Sequence, residues 1–364
     1  MGRRRLLITL ADLNAGGAER VVLTLLRHLS RERFEIDLAL VRREGRFLAE
    51  VPPDVPVHDL GASRVRAAGP PLIRLVRRLR PQVVLSTLFF LNNYLLLLRP
   101  MLPRGTRLVV REGTIVGSAM QTWRRPWLWS LLYRTLYRSA DEIICQSEFM
   151  KNDLATRFGI PRSRMTTIYN PLDLDEIRAR ADADPNPFAG KGAGPHLVAA
   201  GRISHPKGFD DLIRALPALH RLHPGAELWI LGEDRSPNGV MRRELEALCD
   251  AQGVRDNVHF TGHQDNPYPF FRHADLFVLS SRYEGLPNVL LEALGCGCPV
   301  VALDAPGGTR EIMQLTGQMD RLTSALDWKP EWFRKRSAGE ALPDLSAFSV
   351  ERATRTYEDV LTSV

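Results

Sequence analysis

The stretch Leu276–Leu303 reads LFVLSSRYEGLPNVLLEALGCGCPVVAL. Two short aliphatic runs, LFVLSS and PVVAL, bracket a segment whose helix starts at Pro287. Short apolar runs bounded by turn residues read as fully buried strands. Proline suits the first turn of a helix, where its missing N–H costs nothing. Strand, helix and strand in such close succession form the unit of a parallel sheet covered on both faces.

The same alternation extends in both directions. Upstream lie strand patterns at 5–11, 34–41, 81–87, 107–112, 141–147 and 164–170. Helical patterns fall between them at 18–29, 72–80 and 126–138. Residues 179–195, ARADADPNPFAGKGAGP, carry the composition of a linker. Beyond it HLVAAGR, AELWILGE, NVHFTG, LFVLSS and PVVAL alternate with helices near 208–222, 240–252 and 267–273. The reading is α/β: two Rossmann-like domains, 1–178 and 196–348, facing across an interdomain cleft. A terminal helix spans 349–364. Ligands of such sheets sit at the carboxyl ends of the strands, which makes the cleft the expected site.

Composition excludes several classes. With 364 residues and 44% hydrophobic content the chain is globular and long enough for two domains. Its four cysteines are too sparse for a disulfide framework and fit a reduced, cytoplasmic setting. Cys296 and Cys298 lack a second Cys/His pair at ligand spacing and read as small buried side chains. The Asp pairs at 173–175 and 182–184 suit turn and cap roles better than a metal. The N-terminal apolar run ends at Asp12, too short for a signal peptide, and Leu6 breaks a myristoylation pattern. Val83–Leu102 is interrupted by Asn92, Asn93 and Arg99 and reads as strand plus helix rather than a membrane span. Charge is uneven: residues 1–170 hold 28 basic and 14 acidic side chains, the remainder 21 and 28. A basic half of this kind points to an anionic partner.

Four places hold candidate chemistry. Gly16 and Gly17 follow a strand and open a helix, where free N–H groups suit a phosphate. The spacing is not a dinucleotide fingerprint, and a tight turn explains it equally well. Arg111 and Glu112 end a strand, as a pair for a sugar or phosphate or as a surface salt bridge. Arg202 ends another strand and Lys207 precedes the next helix. Such cations grip a diphosphate, arginine as a fork and lysine as a point charge. Last, Glu284 lies in a loop and Glu292 about one turn into the Pro287 helix. Glu292 sits among Leu290, Leu291, Ala293 and Leu294, and a carboxylate so placed needs a partner.

In order and spacing these motifs resemble the retaining GT-B glycosyltransferases of family 4, the E-x7-E group. The resemblance runs through GGAERV (16–21), SEFMKNDL (147–154), IYNPLD (168–173), AAGRISHPKGFDDLI (199–213), LWILGED (228–234), HFTGHQDNP (259–267), EGLPNVLLE (284–292) and GCGCPVVALDAPGGTREI (295–312). It implies that Gly16 and Gly17 approach the donor phosphate or reacting sugar, and that Arg202 and Lys207 bind the diphosphate. Glu292 would hold the ribose and Glu284 the donor sugar. Gly285, Leu286 and the N–H groups of Asn288, Val289 and Leu290 would add to the grip. Gly232, Glu233 and the His263 loop would lie near the base. Catalysis, assigned to Glu284, Arg202 and Lys207, would retain the anomeric configuration without a metal or other cofactor, and the terminal helix would pack back on the first domain. Two departures stand out. The family often has histidine where this chain has Arg111-Glu112, here assigned to the acceptor side. The usual strand after Ile312 is replaced by a short polar segment.

The segment WRRPWLWSLLYRTLYR (123–138) fits either a helix in a membrane interface or one whose leucines face the sheet. With the basic half it favours a lipid-linked or other glycan acceptor at the cytosolic face of an anionic membrane. The protein would be cytoplasmic and peripheral, acting in polysaccharide or lipopolysaccharide synthesis with a UDP-linked hexose or N-acetylhexosamine. Two rivals remain: a GT-B nucleotide-sugar epimerase, and a catalytically silent binder of nucleotide sugar. No nucleic-acid module is present to support binding there.

Overall fold

The structure, a computed structural model, describes residues 2–14, 16–120, 124–334 and 341–364. The chain divides into two compact units. The first runs to Pro171 and regains Phe348–Val364; the second is Leu172–Ala347.

The first unit holds seven parallel strands: β1 (Arg4–Leu10), β2 (Phe34–Leu40), β3 (Val57–Asp59), β4 (Val83–Thr87), β5 (Arg107–Glu112), β6 (Glu142–Cys145) and β7 (Met165–Thr167). Their order is β3-β2-β1-β4-β5-β6-β7, so the winding reverses between β1 and β4. Helices α1 (Gly17–His28), α2 (Gly69–Leu79), α3 (Phe89–Leu98), α4 (Val116–Ala119), α5 (Pro126–Leu136) and α6 (Glu148–Phe158) follow the strands. Strand side chains alternate between two cores. Leu7, Val84, Leu108 and Val110 pack with α2, α3, α5 and α6. Leu6, Ile8, Leu85 and Val109 pack with α1 and the terminal helix. This two-sided burial is why the strands read as continuous apolar runs.

The second unit opens with α7 (Leu174–Ala183). Six parallel strands follow: β8 (His196–Ala200), β9 (Glu227–Leu231), β10 (Val258–Gly262), β11 (Leu276–Leu279), β12 (Val300–Leu303) and β13 (Leu322–Thr323). Their order is β10-β9-β8-β11-β12-β13, with the reversal between β8 and β11. The helices are α8 (Phe209–Leu222), α9 (Val240–Ala251), α10 (Tyr268–His273), α11 (Asn288–Gly295) and α12 (Thr309–Leu315). The chain then returns to the first unit as α13 (Val350–Ser363).

The expected linker at 179–195 is corrected at its start. Asp173 caps α7 by accepting from Glu176 N at 3.0 Å. The helix then runs to Ala183, with Ile177 and Ala181 buried, and packs against α10 and α11. Its alanine- and aspartate-rich composition resembles a loop, whereas capping and one apolar stripe make it a helix. The polar segment after Ile312 still contributes a two-residue strand, β13, paired with β12.

Candidate active site

In the second unit the reversal of winding places the loops after β8 and β11 side by side, because those strands pair directly. The β8 loop carries Arg202 and Lys207, and the β11 loop carries Ser280–Pro287. Lys207 Nζ meets Glu284 Oε1 at 2.5 Å, and the Ser281 hydroxyl donates to the same oxygen at 2.7 Å. The loops are laced below this pair. Ser280 Oγ donates to Lys207 O at 2.9 Å, and Arg282 N to Pro206 O at 2.8 Å. Gly208 has φ +62°, and any Cβ there would collide with the Ser280 carbonyl oxygen. Gly201, at φ +145°, leaves the strand end bare so that the Lys207 stem lies over it.

Arg282 fastens the assembly. It donates to the His205 carbonyl at 2.7 Å, to Asp210 at 2.8 Å and to Asp211 at 2.6 Å. Partial burial pushes the Asp210 carboxyl up. Hydrogen bonds from Arg282 and Arg214 and the Arg282 charge outweigh it and leave Asp210 at about 2. Sequence reasoning passed over Ser280, Ser281, Arg282, Asp210 and Asp211. The available signal was the double aspartate in a helix's first turn, which offers two acceptors to a cation from a neighbouring loop as well as to Arg214 of its own helix.

The neighbouring loops form a row at the same sheet edge. Ile203 N donates to Glu233 O at 2.9 Å and Gly232 N to Gly262 O at 2.8 Å. His263 Nε2 lies 3.3 Å from Asp265 Oδ1, and Glu233 pairs with Arg235 at 3.6 Å. Arg202 is exposed, and its guanidinium has no carboxylate within ion-pair reach among the described residues. The β11 loop is held from its far side by Gly308 N, which donates to Gly285 O at 3.0 Å and Glu284 O at 3.2 Å. Leu286 is buried there, and Asn288 and Val289 are half-buried at the start of α11. Glu292 is buried one turn later beside Cys296, whose thiol its own burial and the Glu292 charge push up to about 12. One expectation is corrected: Leu290 N already donates to Pro287 O at 3.1 Å, so it is not available to a phosphate.

The remaining candidates lie in the first unit. Gly16 caps α1 and Gly17 begins it. The Glu19 carboxylate of the same helix folds back over Gly16, so close that any Cβ there would collide with it. The approach that glycine allows is therefore taken by the helix's own side chain. Arg111 and Glu112 are corrected more fully. They are 1% and 0% exposed, so neither is a surface salt bridge nor open to an acceptor. Adjacent strand residues point to opposite faces, and each meets a different set of partners. Arg111 donates to Tyr357 Oη at 3.0 Å, Thr87 Oγ1 at 3.2 Å and Asn170 Oδ1 at 2.6 Å. Glu112 accepts from Tyr133 at 2.9 Å, Tyr137 at 2.6 Å, Gly113 N at 3.0 Å and Thr114 N at 3.3 Å. Burial pushes its carboxyl up, against the pull of those donors. In the segment 123–138, Trp123 lies outside the described residues. Tyr133 and Tyr137 are buried, while Trp127 and Leu131 are 67% and 51% exposed. Among the described residues no group of three or more His, Cys, Asp or Glu has the placement of a metal site, and no helix is long and apolar enough to cross a membrane.

With this arrangement in view, known proteins decide the family. Residues 15–176 match the family model described as Glycosyltransferase Family 4, and residues 194–333 the one described as Glycosyl transferases group 1. The chain belongs to the family 4 glycosyltransferases. This glycosyltransferase is 32% identical to the N-acetylgalactosamine-N,N'-diacetylbacillosaminyl-diphospho-undecaprenol 4-alpha-N-acetylgalactosaminyltransferase of Campylobacter jejuni, over 85% of this chain and 83% of that one. It is 23% identical to the amylovoran biosynthesis glycosyltransferase AmsD of Erwinia amylovora, over 96% of both. Among solved structures, Anabaena HepE in complex with UDP-glucose matches with a TM-score of 0.79 and 16% identity over the whole of both chains. The glycosyltransferase thus has the GT-B fold of two Rossmann-like domains.

Proposed function

We propose that this enzyme transfers a hexose or N-acetylhexosamine from a UDP-sugar to a lipid-linked glycan, with retention of anomeric configuration and without a metal, in bacterial cell-surface polysaccharide or lipopolysaccharide synthesis. The observation that carries the donor half is the Lys207–Glu284 pair at the β8/β11 reversal, with Arg202 exposed on the same loop. A cation held against a carboxylate serves both ends of a sugar diphosphate. Lys207 and Arg202 stabilise charge developing on the departing diphosphate, and Glu284 accepts from sugar hydroxyls. Asn288 and Val289, at the start of α11, add helix N–H groups toward the same phosphates. Glu292 takes the ribose, and Gly232, Glu233 and His263 border the base. The name of the Campylobacter relative supports the acceptor half, since it specifies a diphospho-undecaprenol acceptor and an alpha linkage. From an alpha-linked donor, that linkage corresponds to retention. The HepE neighbour, crystallised with UDP-glucose, supports the choice of base.

Lys207→Ala is expected to lower donor turnover by at least a hundredfold while leaving the circular dichroism spectrum and melting temperature near wild type. Wild-type UDP release in that variant removes the assignment. Screening UDP-sugars with membrane lipid extracts, with and without EDTA, tests acceptor and metal independence. UDP release that needs no acceptor, with the donor sugar epimerised, would instead establish the epimerase.

A further inference from the structure

From Leu60 to Ala140 the chain contains 14 arginines, no lysine and a single acidic residue, Glu112. That one carboxylate is wholly buried. This window builds α2, α3 and α5, which with α6 cover one face of the first sheet. Helix α3 packs between α2 and α5. The solvent side of these three helices therefore carries no acidic side chain. Arg64, Arg66, Arg74, Arg77, Arg78, Arg80, Arg104, Arg124 and Arg125 are exposed and have no carboxylate partner among the described residues.

Large apolar side chains stand out from the same layer. Leu97 and Met101, at the end of α3, are 56% and 55% exposed. Arg77 donates to the Met101 carbonyl at 3.1 Å, which sets a basic side chain beside them. On α5, Trp127 and Leu131 share one stripe with Arg134 at helical spacing, and the exposed Arg138 follows in the turn after the helix. The opposite layer of the same sheet differs. There Arg27 pairs with Glu50 at 2.7 Å, Arg31 with Asp54 at 2.5 Å and Arg33 with Glu358 at 2.8 Å. Net charge alone does not explain such sorting, since acids are plentiful on the α1 side and missing from α2, α3 and α5, returning beside them in α6 with Glu148 and Asp153.

We infer that the α2–α3–α5 layer docks on an anionic lipid bilayer, its arginines on the headgroups and Trp127, Leu131, Leu97 and Met101 at the acyl boundary. Unpaired arginines match a negative surface potential. Scattered exposed Trp, Leu and Met on a basic helical face match the interface depth. A nucleic acid gives no use to the apolar side chains, and a second copy of the chain would set arginine against arginine. The inference deepens the lipid-linked-acceptor reading and rests on it for its purpose, but its test involves no transfer.

The experiment is co-sedimentation of the full chain with phosphatidylcholine vesicles, with or without about a third phosphatidylglycerol, over a salt series. Arg64→Gln, Arg74→Gln and Arg78→Gln are combined, because none of these side chains makes a hydrogen bond or ion pair that folding needs. The wild type is expected to bind anionic vesicles and to release as salt rises. The triple variant is expected to bind about a hundredfold more weakly, about 3 kcal/mol at about 1 kcal/mol per basic residue, with an unchanged melting temperature. Trp127→Ala with Leu131→Ala is expected to weaken binding at high salt, where the apolar share remains. Absent binding, equal binding to neutral vesicles, or an unaffected triple variant overturns the inference. So does a salt-sensitive dimer abolished by the triple variant, or preference for duplex DNA over vesicles.

Discussion

At the scale of single residues, Arg111 and Glu112 show where sequence reading stops. Their position at the end of β5 was legible, since RLVVRE patterns as a strand. Whether a strand end faces solvent depends on what the helices beyond it cover, and no local pattern carries that. Tyr133, Tyr137 and Tyr357 come from α5, the turn just after it and α13, between 21 and 246 residues away. Removing the shared acceptor strands its donors. Glu112→Ala should therefore cost about 1–3 kcal/mol for the two orphaned tyrosine hydroxyls and two amides, read as a lower denaturant midpoint. Tyr133→Phe should then add little in the Glu112→Ala background. Lys207 and Glu284 were legible as residues of loops at strand ends, but that the two loops meet follows from β8 pairing with β11, which no local pattern carries.

At the scale of elements, the Arg282 contacts join the β11 loop to the first turn of α8. They hold the backbone that presents Lys207. Arg282→Met should lower kcat/KM about ten- to a hundredfold through loosened geometry, and Arg282→Lys should recover little, because a point charge does not replace a fork. The pH signature is specific. Asp210 is depressed to about 2 in the native state, below the usual carboxylate range near 4. Its pairing therefore stabilises the fold above about pH 4 and is lost as pH falls through about 2. The melting-temperature gap between wild type and Arg282→Met should be full at neutral pH and close between about pH 4 and 2. A gap independent of pH would detach Arg282 from Asp210. The longer helices and most strands were legible from periodicity and turn residues, whereas the short α4, α12, β3 and β13 carry too few residues to show a period. Helix α7 was not legible either, because its alanines and aspartates resemble loop composition until the Asp173 cap is seen.

At the scale of the whole molecule, the first unit is built from two separate pieces of chain. Helix α13 supplies Ala353, Tyr357, Val360 and Leu361 to its core. It also brings Glu358, which accepts from Ser30 N at 2.8 Å and pairs with Arg33. Arg4 answers by donating to the carbonyls of Leu361 and Val364. Deleting 349–364 should expose the α1 face and leave Arg111 without Tyr357. Hydrogen exchange should rise across β1, β2 and α1 while β8, β9 and β11 keep their protection; uniform loss across both units would refute the division.

The return of α13 also fixes an order of events on the ribosome. The strands of the first sheet emerge early, but the helix that closes one of their faces is translated only after the 176 residues of Leu172–Ala347. At about 5–20 residues per second this is a wait of roughly ten to thirty-five seconds. Throughout it the nascent first unit presents the Leu6, Ile8 and Val22 side to whatever is near, so this enzyme's yield in a cell depends on what shields that side during synthesis.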